Sequence, residues 1–267
     1  MIGRVRVVVA DWAHVIAQQV RAVVDRTPPD ALATGPLTPV VLIPGIWEPW
    51  RYLLPLARRL HALGHPVHPL PGLGWNGRPL PDSRERARAE LDALGVRGAV
   101  LVAHSKGGLI GKTLLVDPTT ADQLLGLVAV CSPFGGSRLS WPVFARTPLG
   151  LFAPGGPAIL GLAAERLVNE RIVSIGSAWD EMIPDGSVLP GASNITLAQP
   201  GHFRPVADPA VADLVHEQVE RLATIRACPP SPSPSSPPTE SSVTGRSSPS
   251  SSPRTGPATR RSRWATR

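Results

Sequence analysis

The chain has 267 residues, 42% of them hydrophobic, which suffices for one large domain or two small ones with a real core. Its net charge of +7 invites a nucleic-acid partner, but residues 228 to 267 hold six arginines against one glutamate and leave residues 1 to 227 at only +2. The basic excess belongs to the C-terminal stretch, which argues against a nucleic-acid-binding domain, and two cysteines make no disulfide framework.

In chain order, Val5, Val9, Trp12, Ile16, Val20 and Val23 recur at spacings of three and four, the pattern of an amphipathic helix within residues 1–30. The three valines at 7 to 9 could equally open it as a strand. Docking of the stripe on the rest of the chain is the expectation; a partner or a membrane surface are the alternatives, so peripheral membrane contact stays open. Asp11 and His14 interrupt the apolar run, no cleavage site follows, and nowhere do 18 uninterrupted apolar residues occur. The expectation is a soluble, cytoplasmic protein without a spanning helix. Thr27-Pro28-Pro29-Asp30 ends the helix and residues 31–37 read as a linker.

From residue 38 to 227 strands and helices alternate. Val40–Ile43, Val67–Leu70, Ala99–Ala103, Leu124–Val130, Arg171–Ile175 and Asn194–Leu197 are the predicted strands. Trp50–Leu63 (stopped by Gly64), Asp82–Leu94 (stopped by Gly95), Gly107–Val116 and Asp208–Ala223 are the predicted helices. Strands that are apolar throughout, separated by helices, imply an α/β fold with a mostly parallel sheet of about six strands covered on both faces. Residues 228–267 contain nine prolines and twelve serines and are expected to be disordered, since they have little apolar surface to offset ordering entropy.

The chemistry centres on Val100 to Gly108, V-L-V-A-H-S-K-G-G. A buried strand runs into a turn with Ser105 at its apex and a helix just beyond; Ala103 and Gly107 are the small residues that let strand and helix pass close together. A serine so placed needs a base, an orienting acid and an oxyanion site. His202 lies on a loop just past a strand's C-terminal end, where sites gather in open α/β sheets. For the acid, Asp180 follows the strand at 171–176 and is preferred to Asp185, whose Pro-Asp-Gly-Ser context suits a turn. Pro44-Gly45-Ile46 after the first core strand offers the Ile46 amide, and the residue after the nucleophile offers the Lys106 amide.

These segments resemble an α/β-hydrolase of the lipase and carboxylesterase type over about Thr38 to Leu222. The likeness runs through P-G-I at 44–46, A-H-S-K-G-G at 103–108, S-P-F-G-G-S at 132–137, W-D-E-M-I-P at 179–184 and P-G-H-F at 200–203. The resemblance implies Ser105 as nucleophile, Asp180 as acid and His202 as base, with the Ile46 and Lys106 amides in the oxyanion hole. Departures are Ala103 for the first elbow glycine, the Lys106 ammonium beside the serine, which would bear on substrate preference, and no sign of two leading antiparallel strands before Thr38.

Residues 132–169 interleave apolar side chains with proline and glycine and read as a short apolar cap, or else as a packed excursion without substrate contact. Trp47, Phe134, Trp141 and Phe144 are the candidate substrate-binding side chains. The leading function is hydrolysis of a small-molecule or lipid-like ester through an acyl-enzyme, without cofactor or metal. Acyl transfer on the same scaffold is the alternative, and a non-catalytic hydrolase-like binding protein a more distant one. Neither G-x-G-x-x-G nor a P-loop is present.

Overall fold

The computed structural model describes residues 2–140 and 147–227. Six strands form one sheet: β1 (Val40–Ile43), β2 (Val67–Pro69), β3 (Ala99–His104), β4 (Leu124–Val130), β5 (Ile172–Ser177) and β6 (Ser193–Leu197). They lie in the order β2-β1-β3-β4-β5-β6, and every neighbouring pair is parallel. No strand precedes β1 among the described residues, as the trimmed sequence pattern implies.

Alternate residues of the strands feed two apolar clusters, as the period of two requires. Val40, Leu42, Val100, Val102, Val128 and Val130 face α2 (Leu54–Ala62) and α7 (Pro209–Ala227). Val41, Ile43, Leu101, Ala103, Leu127 and Ala129 face α3 (Leu80–Leu94), α4 (Lys106–Val116) and α6 (Pro157–Ala164). β1, β3 and most of β4 are buried throughout, which is why they read as continuous apolar runs; β6, at the sheet edge, is half exposed. The predicted helix at 50–63 begins as a 3-10 turn, Trp50–Leu53, and α3 begins at Leu80, two residues before the expected Asp82; Gly95 ends it in the left-handed conformation.

The N-terminal segment is helical from its start: α1 spans Ile2–Val24, valines 7 to 9 included. Its orientation reverses the expectation. Val5, Val9, Trp12, Ile16, Val20 and Val23 are between 46% and 64% exposed, whereas Asp11, Gln18 and Ala22 are buried. The helix turns its polar side inward because those polar groups find partners there. Gln18 Nε2 donates to the Tyr52 carbonyl (3.3 Å), Gln19 Nε2 to the Trp47 carbonyl (2.8 Å), and the Asp11 carboxylate accepts from residues 202–204. By length and composition α1 is also the one described helix apolar enough to cross a membrane. The expected disorder of 228–267 lies outside the described residues.

Candidate active site

Parallel strands end together, so the loops after β1, β3, β5 and β6 meet at one sheet edge. Ser105 follows β3 directly, at φ 51° and ψ −121°, a strained geometry for a residue with a side chain. It requires a glycine two positions on: a Cβ at Gly107 would come within 2.3 Å of the Ile43 carbonyl oxygen. His202 follows β6 and places Nε2 3.0 Å from Ser105 Oγ. Asp180 follows β5 and accepts from His202 Nδ1 at 2.8 Å. With Nδ1–H given to a carboxylate, Nε2 is the basic nitrogen and faces the hydroxyl. All three side chains are buried: Ser105 7%, Asp180 4% and His202 3% exposed.

Asp180 Oδ1 also accepts the amides of Met182 and Ile183, each at 2.8 Å. Burial works against its charge, but His202 and these two amides hold the carboxyl below the ordinary aspartate range. Asp185 sits in a surface turn and pairs with Arg138 at 3.2 Å, so the structure brings Asp180 and not Asp185 to the histidine.

The cleft above Ser105 has a volume of about 360 Å³ and is walled by Ile46, Pro133, Leu139, Leu149, Phe152, Met182 and Ile183. The 132–169 segment therefore contributes apolar wall through Leu139, Leu149 and Phe152. Lys106 is the first residue of α4, where helix geometry leaves amides without intrahelical acceptors, and the Ile46 amide has no backbone acceptor among the described residues. Phe134 is corrected: it is 4% exposed and packs into the core cluster of Leu109 and Phe152, and it is not among the cleft walls. Trp47 is about half exposed, at φ 58°, beside Gly77 rather than in the cleft wall. Trp141 and Phe144 lie outside the described residues. A larger cavity of about 540 Å³, between Pro29, His68, Glu90 and Leu94, holds no serine, threonine or cysteine.

The Lys106 ammonium does not face substrate. It is fully buried and donates to Asn76 O (2.7 Å) and Oδ1 (3.1 Å), Arg78 O (2.5 Å) and Ser83 Oγ (3.0 Å); burial pushes its pKa down to about 8. Asn76 in turn donates to the Pro44 carbonyl at 2.7 Å, so Lys106 braces the turn that carries Ile46. On the other side of Ser105, His104 Nδ1 contacts the Glu48 carboxylate (2.9 Å) and Nε2 the His202 carbonyl (3.1 Å). Two acceptors require two N–H groups, which makes this ring an imidazolium. Burial opposes that charge, and Glu48 outweighs it. Glu48 also accepts the Gly45 amide at 2.7 Å.

Asp11 is the residue beside the site that sequence reasoning did not place there. Its carboxylate, wholly buried, accepts the amides of His202 (2.8 Å), Phe203 (2.9 Å) and Arg204 (3.0 Å) together with Arg204 Nε (3.2 Å). The available signal was one acid in a 23-residue helix that otherwise has none. Glu181 lies against it. Neither Glu181 oxygen has a hydrogen-bond partner among the described residues, and burial and the Asp11 carboxylate push this carboxyl up to about 8. Cys131, Asp180 and His202 place possible ligand atoms within 4.8 Å of one another, but they do not suit a metal: burial raises the Cys131 thiol, and both His202 nitrogens are engaged.

No protein-family model matches the chain, and no curated protein matches it in sequence. Solved structures do match in shape. An alpha/beta hydrolase enzyme from the metagenome of sediments of the Mar Chica lagoon, Morocco, aligns with a TM-score of 0.52 at 18% identity, over 70% of this chain and 93% of its own. Aspergillus fumigatus lipase B aligns with a TM-score of 0.59 at 15% identity over 73% of this chain, which spans 55% of that lipase. A carboxylesterase of Nitrososphaera gargenis gives 0.51 at 14% identity, over 72% of this chain and 92% of its own. Identities this low speak to the fold alone.

Proposed function

We propose, from the premise that the chain has the α/β-hydrolase fold, that it is a serine hydrolase cleaving carboxylic esters through an acyl-enzyme. The observation that carries the reading is the linear set Ser105 Oγ, His202 and Asp180, spaced 3.0 and 2.8 Å, opening on an apolar cleft. Ser105 Oγ attacks the ester carbonyl carbon while His202 Nε2 takes its proton, and Asp180 stabilises the imidazolium so formed. The tetrahedral oxyanion sits between the Ile46 and Lys106 amides. Collapse expels the alcohol with the proton returned by His202. Water, deprotonated by the same nitrogen, then attacks the acyl carbon and releases the acid. Walls of Leu139, Leu149, Phe152 and Ile183 favour an aliphatic acyl group, because affinity there comes from buried apolar area.

The test is a fluorophosphonate probe together with p-nitrophenyl esters of graded chain length. Labelling confined to Ser105 and lost in Ser105→Ala, with hydrolysis reduced by on the order of 10⁶-fold, is the expected result. An alanine variant that keeps hydrolysing esters would overturn the assignment.

A further inference from the structure

Helices on soluble domains ordinarily turn the apolar stripe inward. On α1 the stripe points out. Val5, Val9, Ile16, Val20 and Val23 are each more than half exposed, and the run from Val5 to Val24 is about 28 Å long at the helical rise. Arg6 flanks the stripe, whereas Arg4 and Arg21 lean toward the inner side, over Trp179 and onto Gln18, where the helix's single acid, Asp11, is buried. The outward surface is therefore apolar, with one flanking arginine and no acid.

We propose that this face of α1 is a docking surface for an anionic lipid bilayer, on which the helix lies flat with its stripe among the headgroups and Arg6 at the lipid phosphates. Lying flat follows from the inner face. Asp11 bonds residues 202–204, Gln18 and Gln19 bond the Tyr52 and Trp47 carbonyls, and Arg4 covers the Trp179 ring at 5.5 Å. Crossing a bilayer would break all of these. Charge favours the bilayer: the outward face carries Arg6 and no acid, which an anionic surface complements. The seat also orients the site, because the same helix holds the His202 loop.

Flotation of the full-length chain with phosphatidylcholine vesicles, with and without phosphatidylglycerol, tests this without any need for turnover. The wild type is expected to float with the anionic vesicles only. Val9→Glu/Ile16→Glu, at two side chains more than 60% exposed, is expected to weaken flotation roughly tenfold or more while circular dichroism and Tm stay unchanged. Failure of ester hydrolysis would leave this expectation standing. Three results overturn the proposal: a wild type that ignores anionic vesicles, a double variant that floats as well as the wild type (which assigns binding to the arginines of 228–267), or a dimer by light scattering that the double variant dissociates.

Discussion

Exchanging Asp11 for asparagine alters one atom and a charge, at a position wrapped by four donors. Oδ2 accepts the His202 and Phe203 amides, and Oδ1 accepts the Arg204 amide and guanidinium. An asparagine supplies one acceptor oxygen, so its NH2 must face two N–H groups. Hydrogen bonds to a charged partner contribute about 1.5–3 kcal/mol each, which sets the loss of two on the order of 3–6 kcal/mol. That figure is a ceiling, because undocking of α1 would return the amides to water. Catalysis should suffer beyond stability. The three amides belong to the residues that carry the His202 ring, and a shift of an ångström at a reacting centre can cost roughly 10²-fold.

The assay is kcat and KM on a soluble p-nitrophenyl ester beside Tm, with Gln18→Ala as comparison. Gln18 fixes the same helix through the Tyr52 carbonyl and touches nothing on the His202 loop. Asp11→Asn should lower kcat by roughly ten- to a hundredfold with KM little changed, whereas Gln18→Ala should lower Tm alone. Asp11→Asn with kcat within twofold of wild type and a reduced Tm would refute the reasoning and leave Asp11 as a helix tether.

Asp180→Asn should cost on the order of 10⁴ in turnover, as a misoriented histidine does, and Asp185→Asn should cost little; a reversed pair of rates would move the acid. Lys106→Met leaves the carbonyls of Asn76 and Arg78 short of a donor, and Tm should fall by roughly 5–10 °C with chain-length preference unchanged; altered preference at normal Tm would contradict the buried ammonium. Glu181, with a folded pKa of about 8 against an ordinary 4.5, favours the fold below the unfolded value and loses that contribution as pH rises through 8. Glu181→Gln should therefore gain Tm over wild type increasingly from pH 5 to about 8 and level off above, and a pH-independent difference would count against the raised carboxyl.

Elements governed by local pattern were legible. β1, β4 and β3 up to Ala103 read as continuous apolar runs because both faces are covered, and Gly95 ends α3 for the reason any left-handed cap does. Ser105 and His202 were legible because parallel strands bring the loops at their C-terminal ends to one edge of the sheet. What escaped was every charge whose partner comes from far along the chain. Asp11 meets residues 191 to 193 positions away, Glu48 meets His104 at a separation of 56, and Lys106 meets residues 23 to 30 positions back. Periodicity assigned α1 its apolar face because it weighs hydrophobic burial alone. A carboxylate offered four donors outweighs a valine stripe, since unpairing it in the interior costs more than leaving methyl groups wet. The same logic explains the two residues beside the nucleophile. Side chains of that size would ordinarily be read as facing solvent or substrate, yet each runs inward to a different loop: His104 to Glu48 and the His202 carbonyl, Lys106 to the 76–83 segment and through Asn76 to Pro44. Ser105 can hold its strained backbone because the residues on either side are fastened to the loops that carry His202 and Ile46, so the elbow and the candidate site are fixed by one set of buried charges.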